Sequence, residues 1–269
     1  MAAYVRRNPS GPPVVPVVLA LVMLLLVGGA AWFWLRSGPD RPTDWAPSDF
    51  DTAAAGPEAE PPPSFVDAPP LDLPELEASD EFVRRLVSAL SAHPRLAAWL
   101  ATDALIQRFV GTVVDLAGGF HPAEHVPFLR PEASFAVRET GGRTVIAESS
   151  YARYDLHAAV VQSLDTEGSV RLFRQLRPLV DEAWAERGLP GTFDDALELA
   201  FQNLLAVQVP AEPPEVVEVE GVWPFADPEL ESRRGAAKAL LRMGPDNARR
   251  VQEKLRDVQV LLPRSMSGG

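Results

Sequence analysis

Residues 227–262, DPELESRRGAAKALLRMGPDNARRVQEKLRDVQVLL, contain the clearest helix signals of the chain. Asp227 is a favourable N-cap, and Pro228 fits the first helical position. Gly244 ends this helix, and Pro245 begins the next one. Apolar residues then recur at helical spacing along one stripe, formed by Ala248, Val251, Leu255, Val258 and Leu262. The segment therefore predicts two helices that close a helical domain.

The same signals predict further helices upstream. One begins near Ser79 or Asp80 and ends before Pro94, and another begins near Thr102 and ends at Gly118. Apolar residues recur in both at the spacing of an amphipathic helix. Additional helices are expected at 151–164, 169–187 and 193–206, with Gly168, Gly188 and Pro190 as breaks between them.

Two short segments read instead as β-structure. Apolar triplets at 135–137 and 145–147 flank a glycine-rich turn, which is typical of a hairpin, and residues 216–222 alternate as a short strand does. We expect a mainly α domain, α+β at most, with many helices and a small antiparallel element. This globular domain should cover residues 75–262 and be followed by a disordered tail at 263–269.

An apolar run of 22 residues begins at Val14 and ends at Leu35. A helix of this length spans a bilayer core of roughly 30 Å. The alternative is a cleaved signal peptide, whose apolar region usually has only about 7–15 residues. We therefore expect a single-pass transmembrane helix that contacts the lipid bilayer, preceded by a short tail at residues 1–13.

Orientation is less strongly marked, because two arginines precede the run and Arg36 and Arg41 follow it. The N-terminal tail is short and contains no acidic residue, which favours a cytoplasmic N-terminus. The globular domain would then lie outside the cytoplasm. In a Gram-negative bacterium, that places the anchor in the inner membrane and the domain in the periplasm.

Residues 36–74 contain ten prolines and eight acidic residues. Proline removes backbone hydrogen-bond donors and like charges repel each other, so this composition does not form a packed core. We expect a disordered, semi-rigid linker that separates the domain from the membrane.

The net charge of the chain is −12 and it contains no cysteine. An acidic protein lacks the dense basic surface that nucleic acid requires, so nucleic acid is not expected as a partner. The absence of cysteine excludes disulfides, thiolate metal sites and a nucleophilic thiol. Dinucleotide and phosphate-loop motifs are also absent, and we predict no cofactor.

The sharpest motif match is His121-Pro122-Ala123-Glu124-His125, which fits the H-x-x-E-H pattern of inverted zinc peptidases. That site needs both histidines one turn apart on a stable helix. Pro127 follows at once and disfavours helical geometry in the residue before it. We therefore treat His121 and His125 as a weak metal candidate and expect a surface loop.

Arg153, Tyr154 and Asp155 form the candidate ligand site. Together with Tyr151, side chains of these types can bind an anion or position a proton donor. The alternative is that the aromatic rings pack and the charges pair with their neighbours. Near the C-terminus, a charged helix face is expected to be solvated and charge-paired; it consists of Glu231, Arg234, Lys238 and Arg242.

Several segments together resemble the bacterial domain of unknown function 3014 family over roughly residues 73–262. The most specific is the block LLRMGPDN at 240–247, and weaker matches are the run from Leu73-Pro74 to Ser79-Asp80, Ala152-Arg153-Tyr154-Asp155 and Phe225-Ala226-Asp227-Pro228. The resemblance implies a bacterial envelope protein with an N-terminal span. It implies no activity and no catalytic residue, and it suggests that the Arg-Tyr-Asp cluster and the Asp227 cap belong to the framework of the fold.

We therefore expect an envelope protein whose tethered domain binds another envelope component without catalysis. The alternative is an envelope hydrolase or a domain that binds a small ligand or anion. A filled core around Arg153 would argue against that alternative, and an accessible polar site there would favour it.

The expected orientation makes a simple prediction. Alkaline phosphatase folds only where its disulfides form, which is outside the cytoplasm. A fusion after Gly269 should therefore be active, whereas a fusion before Met1 should be inactive. The opposite pattern would reverse the topology.

Overall fold

The computed structural model of the chain describes residues 71–126, 130–131 and 133–262. In this part of the chain, a 3-10 turn at Leu76–Ala78 precedes ten α-helices and one two-stranded antiparallel sheet. The helices are α1 Asp80–Ser88, α2 Pro94–Trp99, α3 Leu105–Ala117, α4 Glu148–Ala152, α5 Asp155–Gln162, α6 Thr166–Glu186, α7 Phe193–Leu205, α8 Pro228–Glu231, α9 Gly235–Arg242 and α10 Pro245–Leu261, and the strands are β1 Val137–Thr140 and β2 Arg143–Ile146. The predicted fold class, mainly helical with a small antiparallel element, is confirmed.

Within the described ranges, no helix is both long enough and apolar enough to cross a bilayer. The predicted span at residues 14–35 and most of the predicted linker lie outside those ranges. The last residues of that linker are described, and Leu71 and Leu73 pack against the core. The packed part of the chain therefore begins slightly before the expected boundary at residue 75.

The core is built around α3, which packs against α1, α6 and α7. Eight of its thirteen residues are buried, including Phe109. The Phe109 ring lies 5.1 Å from the ring of Phe193 on α7 and 6.4 Å from that of Phe173 on α6, centroid to centroid. Burying a side chain of this size contributes roughly 1.5–3 kcal/mol, so this aromatic contact is a main source of stability.

The start of α3 differs from the prediction. Thr102 does not cap it; the helix begins after Ala104, which has a φ of 58°. The Asp80 carboxylate on α1 accepts hydrogen bonds from the backbone N–H groups of Ala104 (2.7 Å) and Leu105 (2.8 Å). A side chain from another helix therefore satisfies the free donors of α3, and a local sequence pattern cannot reveal such a cap.

Two predicted helix breaks are also wrong. Pro94 does not mark the end of α1, which already stops at Ser88; it opens α2, where a missing N–H costs nothing. Gly168 is buried within the first turn of α6 instead of separating two helices. In addition, the helix expected at 151–164 is divided into α4 and α5.

In the C-terminal segment, four residues of the predicted apolar stripe are buried on α10, and only Leu262, just beyond the helix, is half-buried. Asp227 caps α8 through a 2.8 Å hydrogen bond from the Glu229 N–H. The single helix expected before Gly244 is instead divided into α8 and α9. The break follows from tertiary contacts, because the Ala236 N–H donates to the Gly119 carbonyl and Gly235 lies against His121.

The sheet pairs Val137 with Ile146 and turns at Gly141-Gly142, as expected for the hairpin. The strand expected at 216–222 is instead an arm that reverses direction. Val219 and Val222 exchange two backbone hydrogen bonds of 2.9 Å across Glu220 and Gly221, both of which have positive φ. The Val216 N–H joins this arm to β2 by donating to the Thr144 carbonyl. After the reversal, the second half of this 216–225 arm places Trp223 and Phe225 against Arg242 at the end of α9.

Gly244, between α9 and α10, has a φ of +84°, and a Cβ there would lie 2.5 Å from Cγ of Tyr151. Gly244→Ala should therefore lower the free energy of unfolding by at least about 3 kcal/mol, through backbone strain and a clash with a buried ring. Gly141→Ala is the control for a positive φ without a clash, since its φ is +56° and no atom lies within 4 Å of the added carbon. It should lose only about 1–2 kcal/mol.

Chemical denaturation of a fragment covering residues 71–269 would measure both changes. Equal losses in the two variants would show that the contact between Gly244 and Tyr151 contributes nothing beyond the backbone conformation.

Candidate functional site

The predicted ligand residues lie at the junction between α4 and α5. Tyr154 is fully buried and Arg153 is half-buried. The Arg153 guanidinium donates to two backbone carbonyls, from Nε to Ser150 (2.9 Å) and from Nη1 to Ala133 (3.1 Å). These bonds hold the guanidinium in one place beside the hairpin.

A second arginine contacts the same aromatic ring as the first. This ring belongs to Phe135, just before β1. Its centroid lies 5.5 Å from Cζ of Arg153 and 5.8 Å from Cζ of Arg242. Arg153 also lies over the Tyr154 ring, and Arg242 over the Phe225 ring at 4.8 Å. Cation–π contacts of this kind contribute about 0.5–2 kcal/mol each, more when desolvated. We call Arg153, Arg242, Tyr151 and Tyr154 the arginine–tyrosine cluster.

Arg242 does not lie on a solvated helix face, contrary to the prediction. It is half-buried, its Nη2 donates to the Trp223 carbonyl (2.5 Å), and burial lowers the pKa of its guanidinium. The rest of the predicted face is partly as expected, since Lys238 and Glu231 form an ion pair of 2.8 Å. The returning half of the 216–225 arm covers the end of α9, and this long-range packing is what buries Arg242.

Neither guanidinium of the cluster forms a direct ion pair within the described residues. In the part of the chain that the structure describes, no carboxylate lies within 4.0 Å of either guanidinium. Glu231 opposes the effect of burial on the Arg242 pKa from a distance. Its two carboxylate oxygens accept hydrogen bonds from Lys238 and from the Phe225 N–H instead. In an acidic chain, two neighbouring arginines without a paired acid are unusual.

The two tyrosines supply neutral hydroxyl groups. Burial raises the pKa of both Tyr151 and Tyr154 to about 12, so both are protonated at neutral pH. The Tyr154 hydroxyl lies 3.5 Å from Nη2 of Arg153. The Tyr151 hydroxyl is buried, and no hydrogen-bond partner lies near it among the described residues. A buried hydroxyl without a partner is costly and often marks a place for a water or an ion.

Asp155 lies outside the cluster, contrary to the prediction that grouped it with Arg153 and Tyr154. It is exposed, and its carboxylate accepts a 2.9 Å hydrogen bond from Asn247 Nδ2. Asn247 also donates to the Tyr151 carbonyl, at 3.1 Å. Asp155 therefore helps to fix α10 against the α4–α5 junction, which is a framework role.

The two histidines of the H-x-x-E-H motif lie in a turn without a helix. His125 Nε2 is 3.6 Å from an Asp115 oxygen, and burial lowers the pKa of its imidazole. His121 instead packs against Gly235. Among the described residues, no group of three or more His, Asp or Glu side chains is placed to hold a metal ion.

Arg242 and Phe135 are the site residues that sequence reasoning missed. Their separation of more than one hundred residues gives no local signal, and α9 periodicity placed Arg242 among ordinary surface charges. The available hint was the block LLRMGPDN, which contains Arg242 and Gly244 within the most specific part of the family resemblance.

Fold and cluster together define a mainly helical domain with a half-buried, positively charged site between α4, α9 and a small hairpin. Residues 105–259 match the family model described as "Protein of unknown function (DUF3014)". The chain belongs to this family, and the match includes the whole arginine–tyrosine cluster. No curated protein and no solved structure matches the chain.

A buried histidine beside the cluster makes stability depend on pH. His157 stacks on Trp99 with centroids 5.5 Å apart, and burial lowers the pKa of its imidazole to about 4, against about 6.5 when unfolded. Because the folded state disfavours the charged form, this stability is present above pH 6.5 and is lost as the pH falls towards 4. The loss should be on the order of 3 kcal/mol.

The variant His157→Phe keeps a ring on Trp99 and cannot titrate. Denaturation of the 71–269 fragment at several pH values should show a steeper loss for the wild type than for the variant between pH 6.5 and 4. Parallel curves would mean that His157 ionises normally in the folded state.

Proposed function

We propose that the chain is a single-pass protein of the bacterial inner membrane, whose helical domain binds another component of the envelope without catalysing a reaction. The single observation that carries this proposal is the order of segments along the chain. An apolar run of 22 residues is followed by a proline-rich acidic segment and then by a folded domain. The N-terminus is cytoplasmic in this proposal, and the domain is periplasmic.

The length of the tether supports a binding role. Since Leu71 already packs on the domain, the proposed tether corresponds to residues 36–70. At about 3.1 Å per residue for polyproline-like chain, its upper limit is roughly 110 Å. Such a spacer lets the domain contact components at a distance from the membrane. This favours the binding of a partner more directly than it favours catalysis.

A second candidate function, the binding of a small ligand or anion, is favoured by a separate observation. The arginine–tyrosine cluster combines two guanidiniums that lack a paired carboxylate with the unpartnered hydroxyl of Tyr151. The hydrolase version of this alternative has weaker support. Its only histidine–carboxylate contact in the described ranges is the 3.6 Å approach of His125 to Asp115.

The partner-binding proposal is tested by photo-cross-linking in native membranes. A cross-linking amino acid would replace exposed apolar residues on separate elements; suitable positions are Phe120, Val219 and Val260, which are 65%, 48% and 82% exposed. We expect one envelope component to be captured repeatedly from a subset of these positions.

The matched control is the anchor and tether alone, residues 1–70, with the same cross-linker near its C-terminus. It should not capture that component. If the full chain repeatedly captures nothing, or if the control captures the same component equally well, binding by the domain is refuted.

A further inference from the structure

We propose that the arginine–tyrosine cluster is a binding site for a phosphate group, held by the guanidiniums of Arg153 and Arg242 and by the Tyr151 hydroxyl. This inference rests on the second candidate function and gives its ligand a chemical class. It does not depend on the tether or on the identity of a protein partner.

The first argument is the number of unused donors. A guanidinium carries five N–H groups, and among the described residues Arg242 has one acceptor, the Trp223 carbonyl. The Tyr151 hydroxyl adds another donor without a partner, on a side chain that is only 9% exposed. The buried Tyr151 hydroxyl lacks an acceptor, and an oxyanion would satisfy it together with the unused N–H groups of the half-buried Arg242 guanidinium.

The second argument is charge. Arg242 and Arg138 both lower the pKa of the Tyr151 hydroxyl against the larger effect of burial, so two cations act on this hydroxyl. Arg153 acts in the same way on Tyr154. A phosphate monoester carries about −1.5 to −2 at neutral pH, which matches two guanidiniums better than a carboxylate with −1 does.

The third argument is rigidity in a partly dry environment. Phe225 and Tyr154 are buried beside the guanidiniums, and apolar walls strengthen electrostatic attraction. Backbone carbonyls hold both arginines in position: Ser150 and Ala133 hold Arg153, and Trp223 holds Arg242. A preorganised site loses little side-chain entropy when its ligand binds.

A purely structural role for the cluster makes different predictions. The guanidiniums would then stack on Phe135 only to join the hairpin to α4 and α9, and Tyr151 would be a packing residue. In that case Tyr151→Phe would remove an unpaired hydroxyl, leave stability unchanged or slightly higher, and change no binding.

The test uses the full chain in an uncharged detergent, titrated with inorganic phosphate at constant ionic strength and followed by calorimetry and by thermal unfolding. We expect saturable binding and a rise in unfolding temperature with phosphate. Tyr151→Phe should weaken binding by about tenfold, and Arg242→Gln by more, because each loses a hydrogen bond to a charged group. Without phosphate, Tyr151→Phe should unfold no earlier than the wild type.

Arg249→Gln is the matched control for charge. Arg249 is an exposed arginine paired with Asp246 at 3.2 Å, and its loss changes net charge as Arg242→Gln does. Its phosphate affinity should equal that of the wild type. If Arg242→Gln does not fold, the comparison of Tyr151→Phe with Arg249→Gln still decides the question.

The source of the phosphate is separated by a second titration, in mixed micelles that contain phosphatidic acid. The proposal is supported if the protein binds either ligand or both. Which of the two it binds, inorganic phosphate or phosphatidic acid, identifies the source of the phosphate group. Absence of binding to both overturns the proposal, as does equal weakening by Arg249→Gln. Binding of acetate as tight as that of phosphate would refute the phosphate class and leave the broader ligand-binding function intact.

Discussion

The fold depends on the burial of α3 at the centre of the described domain. Its faces pack against α1, α6 and α7, and Phe109 meets the aromatic rings of two of these helices. The first N–H groups of a helix have no partner within the helix and need an acceptor from elsewhere. Asp80 of α1 supplies one, and the same contact fixes the N-terminal helix against the core.

The arginine–tyrosine cluster lies at the edge of this core, where four separate parts of the chain meet. The α4–α5 junction contributes Arg153, and the end of α9 contributes Arg242. The start of the hairpin and the arm supply Phe135 and Phe225, the rings that these guanidiniums contact. Gly244 allows α10 to begin directly against Tyr151. The residues that position the cluster are therefore also those that hold the periphery of the domain together.

Sequence reasoning was most successful where one short segment contains its own signal. The α10 stripe, the Asp227 cap and the Gly141-Gly142 hairpin turn all depend on neighbouring residues, and all are present. It was wrong where a distant contact overrides a local pattern. Glycine and proline at 168 and 94 were read as breaks, although their surroundings place both inside helices.

The site was predictable only in part, for the same reason. Arg153 and Tyr154 are adjacent in sequence and were identified together, whereas Arg242 comes from a helix almost ninety residues later. Asp155 was grouped with them because it is the next residue, but helical geometry turns it away towards Asn247. Adjacency along the chain therefore grouped Tyr151, Arg153 and Tyr154 with Asp155, which points elsewhere, and gave no signal for Arg242.

A positive site in a chain of net charge −12 must work at short range. The acidic residues repel anions from a distance, but at physiological salt this repulsion is screened beyond about 8 Å. Within that distance the guanidiniums are the nearest charges, and the buried rings around them reduce screening by water. The arrangement is therefore suited to select an anion by contact and geometry, and it is poorly suited to attract anionic polymers in general. Selective contact of this kind is what the proposed envelope location, with its many anionic groups, would require.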